Sequence, residues 1–511
     1  MRHIINYYLA QSRFFCNFAP YNKYLNTMKN KITGRQDEIK RLKNYISSDQ
    51  SEFIAIYGRR RVGKTFLIKE LFGNQFVFRV TGKEKATMTQ QLAFFADAMS
   101  DYFDGEYTFN NWKEAFRALS KAVEQKSAGP KIIFIDELPW LETPKSGFLG
   151  DLEHFWNNWA YYRNDIKLIV CGSATSWMLD NIINSRGGLH NRVTHQILIS
   201  PFTLKETEQY FQSRGFSYER TEIIDCYMAL GGVAYYLSLF DEGKSVAENI
   251  DTLCFAKGGN LISEFEKIYK SLFKKADNHL AVIRALNTVG KGMTRLELIK
   301  NAKIPNNGNL TTVLDELEQC EFIRSYSPFG KSKKDKIFQL TDMFSLFHLR
   351  FIDGKNTFEK NHWAKVIGTP EYNSWCGYAF EMLCLHHIDQ IASGLGIDGM
   401  IYTPCSWAYR PSPDTINNPD IDDDLKTGAQ IDLLIDRNDK TITVCEMKYS
   451  DGEYVIDKDY NQRIQDRLRT FKKVTKTRKT IVHAFITPQG LVNNMYARKA
   501  GRQVTGEDLF K

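Results

Sequence analysis

Residues 53–71 read FIAIYGRRRVGKTFLIKEL. The run Phe53 to Tyr57 is β-branched and aromatic, as a buried strand requires, and a helical pattern follows the loop. Between them, Gly58-Arg59-Arg60-Arg61-Val62-Gly63-Lys64-Thr65 fits GxxxxGK[ST] in the strand–loop–helix setting that this motif needs. Its glycines permit the backbone to turn successive N–H groups toward phosphate oxygens, and the following helix adds its positive N-terminal end. Lys64 is expected to reach the β- and γ-phosphates of ATP, and Thr65 to ligate Mg²⁺. A chance match on a loop is the alternative, and the flanking strand weighs against it.

A second signature weighs against it further. Lys131 to Glu137, KIIFIDE, is an apolar strand ending in two carboxylates. Asp136 is placed to hold Mg²⁺ through water and Glu137 to polarise the attacking water. Acidic groups at the end of a buried strand are costly unless they work. A third strand, KLIVC over 167–171, leads to Gly172 and Ser173. Ser173 can sense a γ-phosphate, or it can simply cap a helix. Downstream, Arg186 and Arg192 are candidates for an arginine finger acting on a neighbouring nucleotide, the alternative being ordinary surface arginines.

These motifs resemble the AAA-type P-loop ATPases called archaeal-type ATPases, relatives of the STAND signalling NTPases. The resemblance runs over roughly residues 30–255 and includes Ile32-Thr33-Gly34-Arg35 with Glu38, the Gly58–Thr65 loop, Ile135-Asp136-Glu137-Leu138-Pro139-Trp140-Leu141 and Cys171-Gly172-Ser173. Gly231-Gly232-Val233-Ala234-Tyr235-Tyr236-Leu237 resembles the GGxP segment of a helical lid, with Ala234 in place of the proline. The family's glycine–arginine step appears as Asn191-Arg192, which makes Arg192 the better finger candidate. An arginine finger would imply a homo-oligomer.

The chain has 511 residues, long enough for three or four domains. Hydrophobic residues make up 43% and charged residues 25%, which excludes a disordered, collagen-like or membrane-embedded chain. Nine scattered cysteines without a CxxC pair argue against a disulfide framework or zinc site and for a reducing cytoplasm. No apolar run is long enough for a membrane span, so no membrane partner is expected. Residues 1–27 are aromatic but interrupted by Gln11, Ser12 and Arg13, and are expected to be a disordered extension ahead of Met28.

Beyond a P-loop core over 28–200 and a lid over 201–260, residues 261–345 have the pattern of a winged helix. Three helical stretches are followed by strands Glu321 to Tyr326 and Lys336 to Leu340 around GKSKKD. The third helix carries Asp315, Glu316 and Glu318, so docking between domains competes with DNA binding by the wing lysines 331, 333 and 334. Residues 346–370 are expected to be a linker.

A different pattern begins at residue 371. An aromatic-rich helix carries Glu381 among Phe380, Met382 and Leu383. A hairpin follows, with Gln430 to Asp436 as one strand and Thr441 to Lys448 as the other. Side chains alternate along a strand, so Glu446 and Lys448 share a face and Asp432 can lie opposite them. Asp432 and Glu446 form a hard oxygen site suited to Mg²⁺, with Glu381 as a further ligand and Lys448 positioned to activate water. The alternative is a solvent-facing hairpin with ordinary charges. Residues 371–490 resemble the PD-(D/E)xK nuclease-like domain fused to this class of ATPase, on Gly377, Phe380-Glu381, Gln430-Ile431-Asp432, Glu446-Met447-Lys448 and Ile486-Thr487-Pro488. The acidic stretch Asp414 to Asp424 is expected to be a solvated loop insertion.

The expected fold is therefore α/β: a P-loop NTPase with a parallel sheet and helical lid, a winged-helix middle domain, and a restriction-endonuclease-like domain over 371–511. Lys+Arg is 68 against Asp+Glu 60, a net charge of only +8. Residues 257–340 and 451–511 each carry +6, which leaves the remainder at −4. The basic modules favour a polyanionic partner, nucleic acid above all. Two functions follow: an ATPase whose nucleotide state regulates a Mg²⁺-dependent nuclease-like domain, or an ATP-dependent switch whose C-terminal domain binds nucleic acid or protein without cutting.

Overall fold

A computed structural model describes residues 32–511 except 127–128, 186, 274, 333–334 and 356–360. The expectations for residues 1–27, Arg186, Lys333 and Lys334 lie outside the described residues.

Five parallel strands, β1 (Glu52–Tyr57), β2 (Phe76–Thr81), β3 (Lys131–Asp136), β4 (Ile166–Gly172) and β5 (His195–Leu198), form a sheet in the order β2-β3-β4-β1-β5. β3 and β4 are buried along their whole length, which is why they read as unbroken apolar runs instead of alternating ones. Apolar clusters cover both faces: Phe78, Phe95, Trp112 and Trp156 on one, Leu42, Ile54, Leu67 and Phe134 on the other. In parallel register β1 ends beside β4, with Tyr57 opposite Gly172. The carboxyl ends of β1, β3 and β4 therefore share one rim, where open α/β sheets place their ligands.

Helices Leu204–Ser213, Arg220–Leu230 and Val246–Cys254 follow as a lid. Its close packing depends on Gly232: a Cβ there would lie 1.9 Å from the Phe202 carbonyl oxygen. The middle segment has helices Asp277–Asn287, Arg295–Ala302 and Gly308–Gln319 and a small antiparallel sheet, β6 (Met293–Thr294), β7 (Ile323–Tyr326) and β8 (Ile337–Leu340), ordered β6-β8-β7. Two carboxylates of helix Gly308–Gln319 are used internally. Glu316 lies 2.7 Å from His279 Nε2, and Glu318 accepts bonds from the Ser325 backbone N–H and hydroxyl. That helix also packs against Thr175–Met178 of the first domain.

The stretch 346–370, expected as a linker, contributes to the core. Helix Met343–Phe351 packs on lid helix Arg220–Leu230 and on helix Pro370–His386, and Leu346, Phe347, Phe351 and Trp363 are buried. One apolar cluster runs without interruption from the lid through the middle segment into the C-terminal domain. Aromatic side chains join several domains that composition alone could not connect.

The C-terminal sheet has β9 (Tyr402–Tyr409), β10 (Ala429–Arg437), β11 (Thr441–Met447), β12 (Thr480–Thr487) and β13 (Arg502–Thr505) in the order β13-β12-β11-β10-β9. β9, β10 and β11 are antiparallel, whereas β11, β12 and β13 run parallel. Leu433, Ile435, Cys445 and Met447 face the cluster that includes helix Pro370–His386, and Leu434, Ile442 and Val444 face Phe471 of helix Lys458–Thr475. The acidic stretch is not simply solvated. Asp424 pairs with Arg469 and Lys473, and Asp422 with Lys473, so it neutralises much of the basic face of helix Lys458–Thr475.

The lid meets the C-terminal domain at Asp225, whose Oδ1 accepts a 2.7 Å bond from the Tyr449 hydroxyl. Burial, opposed by that bond, pushes the Asp225 carboxyl up to about 6. The native state thus keeps a proton that the unfolded chain releases from about pH 4 upward, and stability falls as pH rises through that window. Asp225→Asn retains an acceptor without the charge. It should raise the melting temperature by a few degrees at pH 8 and leave it unchanged at pH 4; equal shifts at the two pH values would refute this.

Candidate functional site

The loop after β1 is shaped by residues in unusual backbone conformations. Gly58, Arg61 and Gly63 have φ of 136°, 76° and 95°. A Cβ at Gly58 would lie 2.3 Å from the Ile199 carbonyl oxygen, so the loop has no room for a side chain there. Lys64 opens helix Lys64–Phe72 and is buried, its Nζ donating to the carbonyls of Gly58 and Arg59, each at 2.8 Å. Burial lowers the affinity of this amine for its proton, countered by Cys171, Glu137 and Asp136 nearby. Two carbonyls hold the ammonium until a stronger acceptor such as phosphate replaces them.

Thr65 and Asp136 come from different elements and meet at 3.0 Å between Oγ1 and Oδ1. Burial and then the neighbouring Glu137 raise the Asp136 carboxyl above its ordinary range, and the Thr65 hydroxyl partly offsets them. A hydroxyl and a carboxylate on this rim are hard oxygen donors that fit Mg²⁺. Glu137 adopts a left-handed conformation, φ 47° and ψ 47°, and its carboxylate accepts bonds from the Ser173 hydroxyl at 2.6 Å and the Ser173 N–H at 3.2 Å. Ser173 therefore restrains Glu137, a link that neither residue's local sequence indicates.

A cavity of about 870 Å³ opens over the loop, lined by Arg60, Gly63, Lys64, Thr65, Glu137 and Ser173 at one end. At the other end it reaches Ile32, Phe202, Tyr210 and Arg214, and Ala234 and Tyr235 from the lid. Its phosphate end is polar, and its far end has the apolar and aromatic groups that suit a base. Arg192 lies outside this lining, its guanidinium 4.9 Å from the centre of the Tyr161 ring.

Residues 32–240 match the family model described as an ATPase domain predominantly from Archaea. This part of the chain is a P-loop ATPase domain. ATP binding and hydrolysis are the activities of such a domain. Over 451 residues the chain is 24% identical to an uncharacterized protein, MJECL04, of Methanocaldococcus jannaschii, covering 86% of this chain and 92% of that one. Among solved structures it is similar to a Walker-type ATPase of Pyrococcus abyssi, at 18% identity and TM-score 0.47, over 64% of this chain and 98% of that one. It is also similar to the Cdc6p of Pyrobaculum aerophilum, at 13% identity and TM-score 0.34, over 63% and 94%. Among the described residues no helix is long and apolar enough to cross a membrane.

The arginines of the ATPase loop have functions that the motif does not predict. Arg59 is buried and forms an ion pair with Asp342, which caps helix Met343–Phe351 by accepting a 2.8 Å bond from the Ser345 N–H. Burial pulls the Arg59 guanidinium toward neutrality, but the Asp342 carboxylate outweighs it and raises its affinity for the proton. Arg61 donates to both oxygens of buried Glu264, at 3.0 and 3.4 Å, and lies 4.0 Å from the Tyr235 ring centre. The partners are 283 and 203 residues away, so no local pattern announces them.

The C-terminal candidates are near one another but are not gathered into a ligand set. Burial and then the Asp432 carboxylate push the Glu381 carboxyl up to about 8, and Lys448 opposes them. Asp432 sits at a bulge in β10 and accepts a bond from the Gln430 amide. Glu446 is turned toward helix Lys458–Thr475, where the Tyr460 hydroxyl donates to it at 2.8 Å and Arg467 forms an ion pair. Lys448 lies on the same side, its Nζ 5.6 Å from the Tyr460 ring centre. Among the described residues no three carboxylate, histidine or cysteine side chains come together closely enough to hold a metal. As placed, these residues do not fit a bound Mg²⁺. Tyr460 and Arg467, which occupy Glu446, are the residues that the hairpin pattern missed.

Proposed function

We propose that the protein is an ATP-hydrolysing switch whose nucleotide state governs a C-terminal nuclease-like domain acting on nucleic acid. The observation that carries this reading is that Arg59 and Arg61, inside the phosphate-binding loop, grip Asp342 and Glu264 beyond the ATPase domain. A ligand that reshapes this loop acts directly on the segment joining the two ends of the protein. In the ATPase site Thr65 and Asp136 would hold Mg²⁺, Glu137 would polarise water and Ser173 would position Glu137. Arg192 is left for a neighbouring copy. In the C-terminal domain Asp432 and Lys448 would meet the nucleic acid, with Glu381 nearby and Glu446 held by Arg467 and Tyr460. The middle segment would be a winged helix used for docking.

The pairing of Glu446 with Arg467 and Tyr460 favours a second reading, in which the C-terminal domain binds nucleic acid without cutting it. A cleavage panel separates the two. With Mg²⁺ and ATP, wild type should cut DNA or RNA, and Asp432→Ala and Lys448→Ala should lose at least about a hundredfold of that rate while their ATPase rates stay unchanged. If wild type cuts nothing in any nucleotide state and still binds nucleic acid, the non-cleaving reading stands.

A further inference from the structure

Between the middle segment and the C-terminal sheet lies a groove of about 560 Å³ that the ATPase cavity does not reach. One wall is the segment from Lys291 into β6 together with the turn at Lys331. The other is the end of β9 through Arg410 and the start of β10 at Gly428 to Gln430. Lys291, Lys331 and Arg410 are exposed, and among the described residues none of the three forms an ion pair. The one carboxylate in the lining, Glu297, is already engaged, accepting bonds from the Thr294 N–H at 2.8 Å and its hydroxyl at 2.9 Å. On helix Lys458–Thr475, by contrast, Arg469 and Lys473 are paired with Asp422 and Asp424. Ala408 and Gly428 leave the wall low enough for a backbone to approach closely.

The groove also leads to the carboxylate cluster from both walls. Gln430, at its inner end, donates to Asp432. On the opposite wall Gly290, next to Lys291, lies against the Tyr378 ring, where an added Cβ would come within 2.9 Å. Tyr378 and Glu381 are three residues apart on helix Pro370–His386 and so share a face. We propose that this groove binds a single strand of nucleic acid through Lys291, Lys331 and Arg410 and delivers it to the Asp432 side of the cluster. The inference rests on the nucleic-acid reading of the C-terminal domain and gives it a substrate form. The three cations share this groove with Tyr326 and Tyr409, and a basic groove carrying aromatic side chains is the form in which single strands are bound.

The test uses the full chain in EDTA, where nothing can be cut, with short fluorescein-labelled oligothymidylate, oligouridylate and duplex DNA followed by anisotropy across a salt series. Wild type should bind the single strands more tightly than the duplex. The triple variant Lys291→Glu, Lys331→Glu, Arg410→Glu should weaken single-strand binding at least about tenfold. Its salt dependence should become shallower by about 2 in log–log slope, about 0.7 for each phosphate that the variant no longer neutralises. The two single-strand arms tell DNA from RNA. A wild-type measurement covers the case of a misfolded variant: 4-thiothymidine crosslinks should map to the peptides holding residues 289–301, 326–331 and 406–410. Crosslinks elsewhere, equal duplex binding, or an unchanged triple variant would overturn the groove. Absence of cleavage in the separate Mg²⁺ and ATP panel, with these crosslinks intact, would sink the nuclease reading and leave the groove standing.

Discussion

Glu137→Gln protein should bind ATP like wild type and hydrolyse it about 10²–10⁴ times more slowly, whereas Lys64→Ala should fail to bind ATP at all. The two changes separate because the residues meet different parts of the nucleotide. Lys64 is enclosed by the loop, and its ammonium now rests on two carbonyls that do not need it as much as phosphate would. Without it the loop loses a buried side-chain charge that rests on its own carbonyls. Glu137 lies at the end of β3, and its carboxylate is held by Ser173. Glutamine preserves the acceptor for the Ser173 hydroxyl but cannot polarise water. Ser173→Ala should therefore give an intermediate loss in hydrolysis with ATP affinity kept, because Glu137 stays but is no longer oriented. Fluorescent-nucleotide titration and phosphate release measure both quantities. If Glu137→Gln lost binding as completely as Lys64→Ala, the division of labour between them would be wrong.

The ATPase half was readable because its chemistry is carried by contiguous residues. Gly58 to Thr65 and Asp136-Glu137 each sit at the end of a strand, and parallel pairing brings strand ends to a common rim without further instruction. In the C-terminal domain the hairpin of β10 and β11 and the helix bearing Glu381 were legible, and the alternation over Thr441 to Met447 is observed in the two clusters its side chains join, but β9 and β13 were not read. What could not be read was the direction in which the charged groups turn. Glu446 stands in the sequence beside Lys448, but its partner Arg467 lies 21 residues on and Tyr460 lies 14 on, from a helix across the sheet. Net charge was similarly misleading for helix Lys458–Thr475. Two of its cations, Arg469 and Lys473, find partners in an acidic stretch some 45 to 51 residues earlier, which only a tertiary structure shows.

The ion pair between Arg59 and Asp342 makes the strongest demand on stability. Both side chains are almost wholly removed from water, at 2% and 4% exposure, and two guanidinium nitrogens, Nε and Nη2, have no acceptor among the described residues. Asp342→Ala would leave a full buried charge with no partner, a change that costs about 3–5 kcal/mol, and would remove the cap on helix Met343–Phe351, worth about 1 kcal/mol more. A chain of several domains has no single unfolding free energy, so the quantity to measure is the opening free energy of the amides in that helix by native-state hydrogen exchange. Asp342→Asn removes the charge and keeps one of the two acceptors, since Arg59 bonds to Oδ1 and Ser345 to Oδ2; it should lose less than alanine does. Arg59→Met placed on Asp342→Ala should recover much of the loss by removing the stranded charge. Since Arg59 belongs to the phosphate loop, the same variants should change ATP affinity although Asp342 touches no part of the cavity lining. An Asp342→Ala protein that kept both its hydrogen-exchange protection over residues 343–351 and its ATP affinity would show that the loop and the C-terminal half are joined without being coupled.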